Sequence, residues 1–336
     1  MATDVHAAHS HRMRAARYET GGPRRGELTV GELERPEPGP GEVRVRMRVS
    51  GVNPTDWKAR SSPQGTAAGF DAVIPNQDGA GDIDAVGEGV DAGRVGERVW
   101  VYLAQWRRAG GSAAQWIALP AEQAVALPAG VSLELGAGLG IPAMTAHRCL
   151  FAGAALDGAS VLVHGGAGAV GHAAIELARF GGARVATTVS SDEKAELARA
   201  AGAELVVNYR TEDVAPALRD FAPEGVGSIV EVDLSSNVEL DAAVLAPGGV
   251  ISSYGITGAP FAAPRSLYAL NATLQFVLVY TIPDAAKRVA VDDITAALRA
   301  GALTEMPAVR FPLEEIAAAH DAVERGAIGK VLVDIP

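Results

Sequence analysis

Only one cysteine, Cys149, occurs in 336 residues, so no disulfide can close within the chain and no cysteine-ligated structural zinc can be built from it. No run of eighteen or more residues is apolar, which excludes an ordinary membrane-spanning helix. The first twelve residues, MATDVHAAHSHR, lack the apolar middle region of a secretory signal, so the cytoplasm is the expected location. Positive charge is also in short supply. Twenty-nine basic residues stand against forty acidic ones, and a formal net charge of -11 repels nucleic acid over most of the surface. His6, His9 and His11 crowd the start of the chain, but the folded pattern begins near Met13, so residues 1–12 are read as a disordered tail rather than a metal site.

The chain does have length and apolar content for two cores, at 48% hydrophobic. From Met13 to about Gly136 it reads as short β segments cut by glycine and proline: MRAARYE, ELTVGEL, EVRVRMRVSGVN, GAGDIDAVG, ERVWVYLA and SAAQWIAL. An irregular, barrel-like all-β domain is expected there. Near Leu135 the spacing becomes helical, and from ASVLVHG onward strands and helices alternate in units whose length implies a parallel, doubly wound sheet. After Pro283 a helix, the segment AVRFPLEEIAAAHDAVERG and the strand KVLVDIP are too few to stand alone. They are assigned back to the first domain, giving 13–136 with 283–336 as one domain and 137–282 as the other.

Gly166-Ala167-Gly168-Ala169-Val170-Gly171 fits G-x-G-x-x-G directly after an apolar strand and at the start of a helix. Its first glycine permits a tight turn, its second lets the backbone approach a pyrophosphate, and its third lets helix and strand pack closely. The helix N-terminus adds unpaired N–H groups and partial positive charge. A dinucleotide is the expected ligand. An NAD enzyme presents an acid about 20 residues on, at the tip of the second strand, but this chain has Thr187-Thr188-Val189-Ser190-Ser191. With Lys194 one turn further and Tyr209 ending the third strand, the tip suits the 2′-phosphate of NADPH. Ser191 also has the place of a helix cap before Asp192, and Lys194 that of a solvated side chain.

GVNPTDWKARS, GAGDIDAVGEGV, GIPAMTAHRCL, VLVHGGAGAVG and NYR together resemble the zeta-crystallin-like quinone oxidoreductases, a zinc-free branch of the medium-chain dehydrogenase/reductase superfamily. The resemblance covers nearly the whole chain after Met13. It implies an α/β fold, a Rossmann doubly wound parallel sheet plus a GroES-like irregular β-barrel domain, with the active site between the two. The positions that hold catalytic zinc in the superfamily's alcohol dehydrogenases align with Asn53, Gln77 and Leu139, a set unsuited to zinc. Without that Lewis acid, the resemblance implies an acceptor that takes hydride without metal help, such as a quinone or an enone. It also implies that Asn53, Thr145 and the neighbourhoods of Ser235, Gly255, Phe276 and Val277 surround the nicotinamide, with Lys330 approaching the cofactor. Asn53 and Thr145 also suit a satisfied loop residue and a helix residue bonded to its own backbone. Lys58 stands where the family commonly has tyrosine. Asp56 or Lys58 is the expected proton donor, solvent being the other source.

Two alternatives accompany the quinone reading. An enoyl or alkenal reductase uses the same cofactor and also needs a zinc-free pocket. A non-catalytic structural or RNA-binding role is opposed by the intact glycine loop and the acidity. Leu274 to Tyr280, LQFVLVY, is an apolar, β-prone run late in the second domain, where an exposed sheet edge invites pairing with a second copy. A homodimer is expected.

Overall fold

The computed structural model describes residues 11–22, 26–61, 69–153, 155–255, 258 and 260–336. His6 and His9 of the expected tail lie outside the described residues. Its last two do not: Arg12 opens the first strand, and the His11 carbonyl accepts from the Arg35 N–H. The chain divides into two compact units, one of residues 1–141 with 307–336 and the other of residues 142–306.

In the first unit a largely antiparallel sheet runs in the order 308–312, 330–334, 42–51, 78–86, 98–101, 124–126, with 116–120 also paired to 42–51. Only its first pair is parallel. Alternation in Glu42–Gly51 puts Val43, Val45 and Met47 into the core, where they meet Ile83, Val99 and Ile117. The register of 42–51 against 78–86 shifts twice, bending the long strands. Glycine makes this close approach possible, since a Cβ on Gly81 would lie 2.1 Å from the Arg46 carbonyl oxygen. The segment Pro54–Ser61, expected as part of a β domain, is instead an eight-residue helix. Pro54 sits at its first position, where a missing N–H costs nothing.

The second unit has six parallel strands in the order 205–208, 184–189, 160–164, 226–231, 245–253, 273–276. Val161, Leu162 and Val163 are all fully buried, as both faces of a doubly wound sheet require. The strand order reverses between 160–164 and 226–231, where such folds bind ligands beyond the carboxyl ends. The division differs from the expected boundary at 283–306. Helix Asp284–Arg299 buries Ala290, Ile294, Ala297 and Leu298 and packs on helix Ala169–Phe180, while Thr304 bonds Glu176. This helix therefore belongs with the nucleotide unit, and only 307–336 returns to the first. No helix among the described residues is long and apolar enough to cross a membrane.

Candidate functional site

In the first unit four side chains from distant parts of the sequence meet in a buried network. Asn53 precedes helix Pro54–Ser61, Asp78 opens the strand Asp78–Val86, and Lys330 opens the strand Lys330–Asp334. Asn53 Nδ2 donates to Asp78 Oδ2 at 2.6 Å, and Lys330 Nζ donates to Asn53 Oδ1 at 2.8 Å and to the Val52 carbonyl at 3.2 Å. Because an ammonium only donates and a carboxylate only accepts, the orientation of the Asn53 amide is fixed. Asp78 Oδ1 accepts from the Ile141 N–H at 2.8 Å, and Asp78 lies 3.9 Å from the ammonium. Asp56 Oδ2 accepts from the Asn53 N–H at 2.7 Å, while its Oδ1 is buried with no hydrogen-bond partner among the described residues.

Burial governs the charges. Desolvation, and then the neighbouring charge of Asp78, push the Asp56 carboxyl up to about 8. Desolvation pushes Asp78 up to about 6, opposed by Lys330, Asn53 and the Ile141 N–H. Lys330 is lowered by its own burial, which the two carboxyl groups only partly offset. At neutral pH Asp56 keeps its proton, beside the paired Asp78 and Lys330.

Of the positions aligned with zinc ligands, Asn53 is committed to this network, Leu139 is buried and apolar, and Gln77 is bonded to Gln105. Gln77 Nε2 donates to Gln105 Oε1 at 3.1 Å and Gln77 Oε1 accepts from the Gln105 N–H at 3.1 Å. Two amides and a leucine beside a fixed ammonium do not form a zinc donor set. Lys58 is exposed on its helix with Nζ 5.6 Å from the Trp57 ring, outside this network.

The nucleotide unit brings together the other group of expected residues. Gly165, just ahead of the fingerprint, adopts φ +70°, the left-handed turn that lets the chain leave the strand. A Cβ on Gly166 would lie 2.2 Å from Thr187 Oγ1, and one on Gly171 would lie 2.3 Å from the Gly165 carbonyl oxygen. Gly168 caps helix Ala169–Phe180 with no side chain over its first turn, leaving the N–H groups of Ala169, Val170 and Gly171 for an anion. This cradle fits a dinucleotide pyrophosphate. At the second strand tip Lys194 Nζ donates to Ser190 Oγ at 3.0 Å, and Ser191 Oγ accepts from the Lys194 N–H at 3.4 Å. Ser191 is thus a helix cap, while Ser190 and Lys194 form a small polar and cationic tip. Tyr209 is half exposed, its N–H bonded to the Val189 carbonyl, so it stands beside that tip. A cleft of about 310 Å³ opens among His164, Gly165, Thr188, Tyr209, Asp233 and Asn237.

The remaining expected contacts are spread through the same unit. Thr145 is buried on helix Gly140–Phe151, and Ser235 lies in the first turn of helix Leu234–Val244. Gly255 presses on the Val232 backbone, where a Cβ would come within 2.1 Å of its oxygen. Phe276 is exposed, whereas Val277 is buried and its N–H bonds Ser253. Sequence reasoning missed Asp78 and Gly165. An acid heading the strand DGAGDIDAV and a lysine heading KVLV were the available signals for a buried charge pair.

Comparison with known proteins adds three findings. Residues 39–129 match the alcohol dehydrogenase GroES-like domain family, and residues 169–295 match the zinc-binding dehydrogenase family. The chain is similar to the quinone oxidoreductase of Rattus norvegicus, 31% identical over 328 residues, covering 96% of this chain and 97% of that protein. It is equally similar to a 2-haloacrylate reductase of Burkholderia sp, 31% identical over 335 residues, covering 96% and 98%. A mycobacterial structure complexed with NADPH superposes with a TM-score of 0.81 at 29% identity, covering 96% of this chain and all of that one.

Proposed function

Because the chain belongs to the medium-chain dehydrogenase/reductase superfamily, we propose that it is a zinc-independent reductase that uses NADPH to reduce a quinone or a similarly conjugated carbonyl compound. The observation that carries this reading is the Asn53–Asp78–Lys330 network, in which an amide aligned with a zinc-ligand position is instead bonded to a buried carboxyl group and to a lysine. Such a site offers fixed hydrogen bonds but no Lewis acid for a simple alcohol or ketone. Acceptors that take electrons readily are the ones it suits.

Gly166, Gly168 and Gly171, with the first-turn N–H groups of Ala169 and Val170, would hold the pyrophosphate. Ser190, Lys194 and Tyr209 would hold the 2′-phosphate. When bound, NADPH supplies hydride. The chain's own part is to orient and to manage a proton. Lys330 and Asp78 hold the Asn53 amide in one orientation, leaving one Nδ2–H to donate. Asp56 keeps a proton on its carboxyl at neutral pH, the state a general acid needs, whereas exposed Lys58 has no comparable setting.

A second reading, reduction of an activated carbon–carbon double bond, is supported by the likeness to 2-haloacrylate reductase. NADPH oxidation measured against quinones, enones, haloacrylates and enoyl thioesters separates the two. Turnover should survive exhaustive chelation, and elemental analysis should find less than about one zinc per ten chains, since no tetrahedral N/S ligand set is available among the described residues. Stoichiometric zinc needed for turnover would refute the proposal.

A further inference from the structure

Three ionisable side chains that take no part in the reading above are packed together in the nucleotide unit. His164 ends the strand Ser160–His164 and Glu231 ends the adjacent strand Val226–Glu231, so they lie side by side at the reversal of strand order. Asp241 reaches them from helix Leu234–Val244. His164 Nε2 is 2.9 Å from Asp241 Oδ1 and 3.4 Å from Glu231 Oε2, and Glu231 and Asp241 have no solvent exposure. Glu231 Oε1 accepts from the Asp233 N–H and from Asn237 Nδ2. Glu231 Oε2 and Asp241 Oδ2 are buried with no hydrogen-bond partner among the described residues. His164 Nδ1 pairs with Thr188 Oγ1 at 3.0 Å, and the Thr188 carbonyl accepts from the N–H groups of Gly165 and Gly166 at 3.1 and 3.2 Å. The cluster is therefore joined by one residue to the turn that leads into the phosphate cradle, and His164 and Thr188 line the cleft beside it.

With all three groups ionised the cluster is a buried net negative charge next to a site for a polyanion, a costly state that one further proton removes. Burial, reinforced by Asp241 and opposed by His164, pushes Glu231 up to about 7. Burial works against the His164 cation, but the hydrogen bond to Asp241 and the charges of Glu231 and Asp241 outweigh it and hold the imidazole above its ordinary range. The other groups facing the cluster contribute no compensating charge. Burial, Cys149 and Glu231 raise the Tyr254 phenol, so it is neutral, and Cys149 behind it is pushed by burial up to about 12 and is neutral too. Asp233 is bonded to Ser236, while Lys194 is engaged with Ser190 at the second strand tip, where Tyr209 also stands.

Resting on the reading that this unit binds NADPH, we propose that His164, Glu231 and Asp241 are positioning residues that together take up one further proton and, through Thr188, hold the Gly165–Gly166 turn ready for the dinucleotide. Cofactor binding and proton binding are then linked. A polyanion in the cleft raises the proton affinity of the cluster, so the complex carries more protons than the free protein, and affinity falls as pH rises past neutrality.

The test uses the full-length protein and NADPH. Titration calorimetry at about pH 7.5 in two buffers of different ionisation enthalpy should show proton uptake on binding by the wild type, and none from this cluster in Glu231→Gln. Between about pH 6.5 and 8.5 the wild-type Kd should rise up to about tenfold per pH unit, the limit for one linked proton, more than that of Glu231→Gln. Titration of the cofactor's own 2′-phosphate is common to both proteins and cancels. Asp241→Asn provides the same readout where Glu231→Gln does not fold. Identical pH profiles and identical proton uptake in wild type and variant, with NADPH still bound, would overturn the proposal and leave the cofactor reading standing. Failure of NADPH to bind at any pH would overturn both.

Discussion

Replacing Lys330 with methionine removes the only cation from a buried cluster that holds two carboxyl groups, while keeping most of the side-chain volume. Breaking a buried ion pair from one side costs about 3–5 kcal/mol, because the remaining charge has lost its partner. The ammonium also bonds the Val52 carbonyl and Asn53 Oδ1, and each lost neutral acceptor adds roughly 1 kcal/mol. For a unit of this size a loss of about 5–7 kcal/mol lowers the melting temperature by roughly 10–28 °C. The effect should depend on pH with a definite sign. Asp78, already pushed up to about 6 beside the ammonium, rises further without it. A carboxyl whose folded-state pKa is raised supports the fold at low pH and loses that support as pH rises through the folded value. The deficit of the variant against wild type should thus be largest near pH 8 and shrink near pH 5, where Asp78 is protonated in both proteins. Urea unfolding at the two pH values measures it. Adding Asp78→Asn to the variant should recover a large part of the loss at pH 8, since the two residues are directly coupled. A deficit that is equal at both pH values, or additive in the double variant, would refute the charge argument.

Lys194→Glu should weaken NADPH by roughly 1.5–3 kcal/mol, the worth of a charge-assisted phosphate contact, while NADH is nearly unaffected; competitive titration of the two cofactors checks it, and equal weakening of both would sink the 2′-phosphate reading. Sedimentation should show a homodimer, because the strand Thr273–Phe276 is the edge of its sheet and Phe276 and Leu278 are exposed beside it. Leu278→Arg should shift that equilibrium towards monomer without unfolding the unit, and a wild type that sediments as a monomer at micromolar concentration would refute the expectation. Proline at Val277 is a poorer probe, since its N–H already bonds Ser253 within the same sheet.

Much of this architecture could be read in the sequence because it is written in local pattern. Alternation in EVRVRMRV announced a half-buried strand, and the glycine fingerprint between VLVH and a helix announced the cradle. What escaped depends on contacts distant in sequence. The amphipathic pattern of Asp284–Arg299 shows that a face is buried but not against which unit, so its assignment went astray. Helix Pro54–Ser61 has little apolar periodicity to betray it, with only Asp56 and Ala59 buried. The fingerprint was counted from Gly166, yet the left-handed turn falls at Gly165, because spacing constrains close approach and not dihedral angle. Asn53 and Lys330 were each expected near the cofactor, but only the fold shows that they bond one another and share Asp78.

The first unit is built from two separated stretches of chain, and this sets a timetable for its synthesis. The nucleotide unit is continuous from 142 to 306 and can complete its sheet while residues 307–336 are still being added at the ribosome. The β unit cannot, because the strand 330–334 lies inside its sheet between 308–312 and 42–51. About 250 residues separate Asp78 from Lys330, which at roughly 5–20 residues per second leaves ~12–50 s in which two acids destined for burial have no cation to meet. During that interval residues 49–51 of strand 42–51 lack a neighbour on one side, residues 42–46 being paired with 116–120, which leaves that end open to pairing with another chain. Arrival of Lys330 fills the place beside 42–51 and gives the buried Asp78 its partner in the same event, so one strand both completes the sheet and sets the charge of the candidate site.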